Sequence, residues 1–300
     1  MMSKVKFSGI IPALVTPLNS DGSVKVSAVK PLIDRQLAAG VDGFYLTGGT
    51  GEGVCLSPEQ RKTLCRAAVE ANAGRGKIIV HTGCLNFAEV EDYSRFASEC
   101  GVDAISSVPP NYYFGHNRAE TIDYYKALAD TTELPIVIYA NFSIGKIDVN
   151  EMVAELLQVG NIIGVKDTRA NYFQMQQLKL LNGGDINVIN GPDESLICGL
   201  VMGADCGIGT TYNVMPDWFV KLYDEYRKGN LPEAQKWQQK INRVIVALFE
   251  ASPHSIIRSV KATLKLQGID VGDCVFPFQK FSPGEMEVLQ ELLNKAGLFK

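Results

Sequence analysis

Short apolar runs alternate with longer amphipathic stretches along this chain, and that alternation constrains the fold first. Eight runs have the length and apolar character of buried strands, at residues 10–15, 43–46, 77–81, 104–108, 136–139, 162–166, 186–190 and 206–209. Between them lie segments with apolar positions at helical spacing. In the first, Val29, Leu32, Ile33 and Leu37 form one face, and Gly40 stands where a helix stops. The second opens Ser57-Pro58-Glu59-Gln60: a serine cap, a proline at the first helical position and a glutamine to complete a capping box. Further helices are predicted near 118–130 and 149–158. Eight strand–helix units predict an α/β protein, a (β/α)8 TIM barrel, with a doubly wound open sheet as the structural rival. From about residue 216 the pattern is helical only, over 218–227, 232–249, 255–266 and 283–298, which predicts a C-terminal helical extension. No linker or repeat interrupts the chain, so residues 1–300 read as a single domain. Within it, 7–215 hold the barrel strands and most helices, and 216–300 hold the last barrel helix and the extension.

Composition narrows the class without naming a function. With 300 residues, 46% hydrophobic and 21% charged, the chain matches an ordinary globular protein. A chain of this length buries roughly 75% of its unfolded surface and needs no staples. A formal charge of −4 leaves no basic excess, which argues against a nucleic-acid partner. No run reads as a membrane span, and Met1-Met2-Ser3-Lys4-Val5-Lys6 lacks the apolar core of a signal peptide, so a cytoplasmic protein with no membrane partner is expected. The seven cysteines fit that compartment, being odd in number and without a CxxC pair. There is no HExxH motif, and His81, His116 and His254 are far apart in sequence, so no metal site is expected.

Barrel enzymes build their sites from the carboxyl ends of the strands. Lys166 lies there in the sixth run, Asn161-Ile162-Ile163-Gly164-Val165-Lys166-Asp167-Thr168. Burial disfavours an ammonium, and the neutral amine is the form that attacks a carbonyl. The plainer alternatives are a lysine that reaches water past the strand's end, or one held by Asp167. Tyr139 ends the fifth run in the same way, so two neighbouring strands deliver an amine and a phenol. The second run leads into Thr47-Gly48-Gly49-Thr50-Gly51-Glu52-Gly53. It lacks the Lys-Ser/Thr of a P-loop, and Glu52 is expected to repel phosphate. Its backbone N–H groups and the Thr50 hydroxyl suit a small carboxylate, although a tight turn alone also explains the glycines. The seventh run opens into Gly191-Pro192-Asp193-Glu194, where Asp193 is also a natural helix cap. The eighth leads to Thr210, and the fourth to Tyr112-Tyr113, which packing could equally explain.

Gly51-Glu52, the Tyr139 strand end, Gly164-Val165-Lys166-Asp167 and Gly203-Ala204-Asp205-Cys206-Gly207-Ile208-Gly209, in this order, resemble the dihydrodipicolinate synthase/N-acetylneuraminate lyase family over essentially the whole chain. The resemblance implies a homotetrameric (β/α)8 barrel and a pyruvate-dependent class I aldolase with no cofactor. It implies Lys166 as the Schiff-base nucleophile, Tyr139 as the proton-passing phenol, and Gly49 and Thr50 in the loop for the pyruvate carboxylate. Thr168 and Tyr112 join the substrate site. Gly191, Asp193, Glu194 and Thr210 match the segments with which neuraminate lyases hold a polyhydroxylated tail, a task that suits carboxylates because hydroxyls are donors. Synthases of the family place an arginine shortly after the strand-5 tyrosine, and residues 140–145 contain none. The implied substrates are therefore pyruvate and a sialic acid or related keto sugar acid. Other pyruvate-dependent aldolases (a 2-keto-3-deoxy sugar acid aldolase or dihydrodipicolinate synthase) and a non-catalytic pyruvate or sugar-acid binder are the alternatives. Two departures stand out. Gly49 replaces a hydroxyl residue that links the catalytic tyrosine to a second tyrosine, with Thr47 or a water as a substitute, and Tyr139-Ala140-Asn141-Phe142 replaces Tyr-Asn-Xaa-Pro.

Overall fold

Successive side chains of a strand point to opposite faces, so an apolar run in a closed sheet packs one set inward and the other against helices. The computed structural model describes residues 6–110 and 115–299. Its strands are β1 (Gly9–Pro12), β2 (Gly43–Leu46), β3 (Lys77–His81), β4 (Ala104–Ser107), β5 (Ile136–Ala140), β6 (Ile162–Asp167), β7 (Asn187–Asn190) and β8 (Cys206–Gly209). They pair in parallel in the order β1-β8-β7-β6-β5-β4-β3-β2. A parallel bridge between Ala13 and Tyr45, with the Leu14 N–H donating to Tyr45 O at 2.9 Å, joins the two ends. The barrel wins over the open sheet for that reason.

Inside the barrel Ile79, Val137, Ile163, Ile189 and Ile208 pack together. On the outer face Val80, Ile138, Val165 and Val188 meet the helices. Those are α1 (Val26–Ala38), α2 (Pro58–Asn72), α3 (Phe87–Glu99), α4 (Arg118–Ala129), α5 (Val149–Leu156), α6 (Tyr172–Leu180), α7 (Leu196–Val201) and α8 (Pro216–Arg227). Ser57 and Gln60 form the capping box of α2. The extension adds α9 (Leu231–Ala251), α10 (Ile256–Leu266) and α11 (Pro283–Ala296). Among the described residues no helix is long and apolar enough to cross a membrane.

Two expectations are corrected here. The first run ends as a strand at Pro12 rather than continuing to 15, because Leu14 turns to close the barrel against β2. Asp193 does not cap α7: it lies in a short 3₁₀ turn, Asp193–Ser195, and no side chain caps the helix. Its carboxylate is drawn instead to the unpaired N–H groups that follow β8.

Candidate active site

Tyr139 of β5 pairs in register with Lys166 of β6, so both side chains enter the barrel at the same level. Lys166 is only 5% exposed, and its Nζ lies 3.7 Å from the Tyr139 ring centroid and 5.4 Å from that of Tyr45. It donates to Thr168 Oγ1 at 3.3 Å. Asp167 faces the opposite side of the strand, where Arg169 holds it through Nε at 2.9 Å and Nη2 at 2.8 Å. The reading in which Asp167 neutralises Lys166 is thereby removed.

The phenol responds to this neighbour. Burial alone pushes the Tyr139 hydroxyl up, but the Lys166 charge, with hydrogen bonding to Lys166, Thr168 and Asn141, outweighs it and leaves the group below its ordinary value. Tyr139, Tyr45 and His81 form a triangle of rings, with centroids 6.4 Å, 6.2 Å and 5.9 Å apart. His81 ends β3 and was not foreseen as a site residue, although it occupies the same strand-end position that marked Tyr139 and Lys166. Burial, then the charges of Arg61 and Lys166, lower it to about 3, so it is neutral near pH 7. Its Nε2 accepts from the Val108 N–H at 3.2 Å, which places the ring proton on Nδ1.

The loop after β2 has the form an anion requires. Among the described residues no acceptor meets the N–H groups of Gly49, Thr50 or Gly51, and adjacent free N–H groups make an anion-binding concavity. The Glu52 carboxylate does not oppose this, contrary to the expected repulsion. Residue 52 adopts φ +55°, which turns the side chain away, where Lys261 meets it at 2.6 Å and the Val275 N–H donates at 2.8 Å. Thr47 cannot replace the hydroxyl missing at Gly49. Its Oγ1 donates to the backbone oxygen of His81 at 2.8 Å, with Tyr93 beyond. A Cβ at Gly49 meets nothing within 4 Å.

Gly191 enters the site for a steric reason: a Cβ there falls 2.0 Å from Thr168 Oγ1, so only glycine lets the β7 loop come this close to the lysine's partner. Asp193 is 8% exposed and gathers three hydrogen bonds, from the Thr210 N–H at 3.2 Å and from the Thr211 N–H and hydroxyl at 2.6 Å each. Burial pushes its carboxyl up to about 6, against hydrogen bonds from Thr211 and Thr210 that pull it down. Thr210 Oγ1 lies 2.6 Å from Thr50 Oγ1. Glu194 is exposed beside this cluster. Tyr112 lies outside the described residues. Lys166, Tyr139, Thr168 and Gly191 thus form one group, and Thr50, Thr210 and Asp193 a second. Gln238 and Asn242 of α9 support the second group, donating to the carbonyls of Asp193 at 3.1 Å and Glu194 at 2.9 Å. Nothing in their local sequence marks them, since a helical Gln and Asn four apart read as a solvated face.

A (β/α)8 barrel with an amine and a phenol side by side at its strand ends defines a class, and the chain belongs to the dihydrodipicolinate synthetase family, which it matches over residues 6–296. Within that family it is 35% identical to the N-acetylneuraminate lyase of Rhizobium meliloti, over 96% of this chain and 94% of that one. Among solved structures it resembles the wild-type sialic acid aldolase of Ruminococcus gnavus, with 29% identity, a TM-score of 0.92 and 98% of both chains covered. A catalytic lysine mutant of the Ruminococcus gnavus aldolase superposes equally, with a TM-score of 0.92, 28% identity and coverage of 97% of this chain and 96% of that one.

Proposed function

We propose that this protein is a Schiff-base-forming carbon–carbon lyase that cleaves N-acetylneuraminate reversibly to pyruvate and N-acetylmannosamine. The observation that carries the reading is the Lys166 amine 3.7 Å over the Tyr139 ring. The open N–H loop at Gly49–Gly51 supplies the carboxylate seat, and the named activities of the similar proteins point the same way.

The chemistry follows from the groups present. The substrate carboxylate sits on the loop N–H groups and the Thr50 hydroxyl, which sets the keto carbon toward Lys166. The neutral form of Lys166 attacks that carbon, and the carbinolamine hydroxyl leaves as water with a proton taken up from solvent, which leaves a protonated imine. The imine keeps a positive charge beside Tyr139, which favours loss of its proton to solvent. The oxygen so freed removes the proton from the hydroxyl on the carbon beyond the scissile bond. That hydroxyl becomes the aldehyde of the amino sugar as the C–C pair flows into the imine, giving an enamine. Protonation of the enamine carbon by Tyr139 and hydrolysis of the imine release pyruvate and free Lys166. The lowered hydroxyl of Tyr139 suits both directions of transfer, because a group nearer neutrality gives and takes a proton with less driving force wasted. Residues 140–145 contain no arginine for a second substrate carboxylate, which favours a polyol tail over dihydrodipicolinate formation.

The test is incubation with N-acetylneuraminate. Pyruvate and N-acetylmannosamine should appear in equal amounts. Pyruvate released only from a 2-keto-3-deoxy sugar acid assigns another aldolase activity, and binding without any release assigns a non-catalytic binder.

A further inference from the structure

Asp193 matches the family's tail-holding position, yet most of its hydrogen-bonding capacity is already used inside the protein. A carboxylate has about four acceptor sites, and Thr210 N–H, Thr211 N–H and the Thr211 hydroxyl occupy three of them here. Its own carbonyl is pinned from the other side by Gln238 of α9 at 3.1 Å. Among the described residues the exposed Glu194 carboxylate has no such partners and remains open to a polyol. The loop fixed by Asp193 carries Thr210, whose hydroxyl lies 2.6 Å from that of Thr50. Two hydroxyls at that distance share one proton between them. The second proton is left for whatever binds the neighbouring N–H groups.

We infer that Asp193 is a positioning residue for the carboxylate seat: it holds the β8 loop so that Thr210 orients the Thr50 hydroxyl toward the keto acid. The strand-7 and strand-2 loops then act on pyruvate as one unit, and the direct tail contact falls mainly to Glu194. This rests on the aldolase reading above.

The experiment measures the pyruvate concentration giving half-maximal borohydride trapping on the full-length protein. Asp193→Asn keeps the shape of the side chain but exchanges one acceptor for a donor, and Thr210→Val removes the linking hydroxyl. Each should raise half-saturating pyruvate roughly ten-fold, as expected for loss of a hydrogen bond to a charged group or its consequence. The double variant should be no worse than the more severe single, and Thr210→Ser should retain the parent value. Trapping at the parent half-saturation in Asp193→Asn, with only the sugar-acid KM raised, overturns the inference, as do single effects that multiply in the double variant. Where Asp193→Asn does not fold by circular dichroism, Thr210→Val against Thr210→Ser decides, and equal half-saturation of the two overturns it. No trapping by the parent protein overturns the aldolase reading itself, a result distinct from the others.

Discussion

Deleting the Tyr139 hydroxyl while keeping its ring leaves the surface beneath Lys166 intact and removes the proton carrier. Tyr139→Phe should therefore trap pyruvate much as the parent does, while cleavage falls roughly 10²–10⁴-fold, the usual worth of a positioned acid–base group. Single-turnover release of pyruvate from N-acetylneuraminate measures this, and parent-like cleavage would assign the proton to another group. Gly49 offers the reciprocal experiment. A side chain fits there without contact, so Gly49→Ser should raise turnover by supplying the hydroxyl that the family resemblance implies and Thr47 does not provide. An unchanged rate means the route is completed without it. Asp193 gives a stability signature. Its folded carboxyl is raised to about 6 from an ordinary 3.8, so the folded state takes up its proton before the unfolded state does. That contribution is fully present below about pH 3.8 and is lost as pH rises through 6. Its size is on the order of 2–3 kcal/mol. The Tm of the parent minus that of Asp193→Asn should then be larger at pH 5 than at pH 7, and a difference independent of pH would contradict the shift.

At the scale of elements, the strands and the α2 capping box were legible because each rests on local chemistry: short unbroken apolar runs, helical spacing between them, and a cap within one turn. Lys166 and Tyr139 were legible for the same reason, each closing an apolar run. The Asp193 cap failed because the competing N–H groups belong to a loop seventeen residues away. Glu52 failed in the same manner: its partner Lys261 sits in α10, and no local pattern joins them. That pair fastens the C-terminal extension to the carboxylate loop, with both side chains nearly inaccessible to water. Lys261→Met leaves a buried carboxylate without its cation and should cost about 3–5 kcal/mol. Adding Glu52→Gln should recover much of that loss. Urea denaturation checks both, and a single variant within ~1 kcal/mol of the parent would mean that Glu52 finds water once Lys261 is gone.

Across the whole molecule, the barrel gathers loops from strands 2, 5, 6, 7 and 8 over one floor of rings, and α9 and α10 brace two of those loops from outside. Strand ends alone put an amine and a phenol together, and the resemblance of the ordered motifs to the family supplied the class of chemistry. The bracing was not, since Gln238, Asn242 and Lys261 acquire meaning only when the extension folds back over the barrel. The ring triangle of Tyr45, His81 and Tyr139 was hidden for a similar reason, because a lone buried histidine says nothing until its neighbours are known. All of these parts converge on one amine. Treating the protein with pyruvate and borohydride, followed by peptide mass spectrometry, tests that convergence most directly. The account predicts a stable reduced adduct on Lys166 that is absent from Lys166→Ala. An adduct on another lysine, or one that persists in Lys166→Ala, would contradict it.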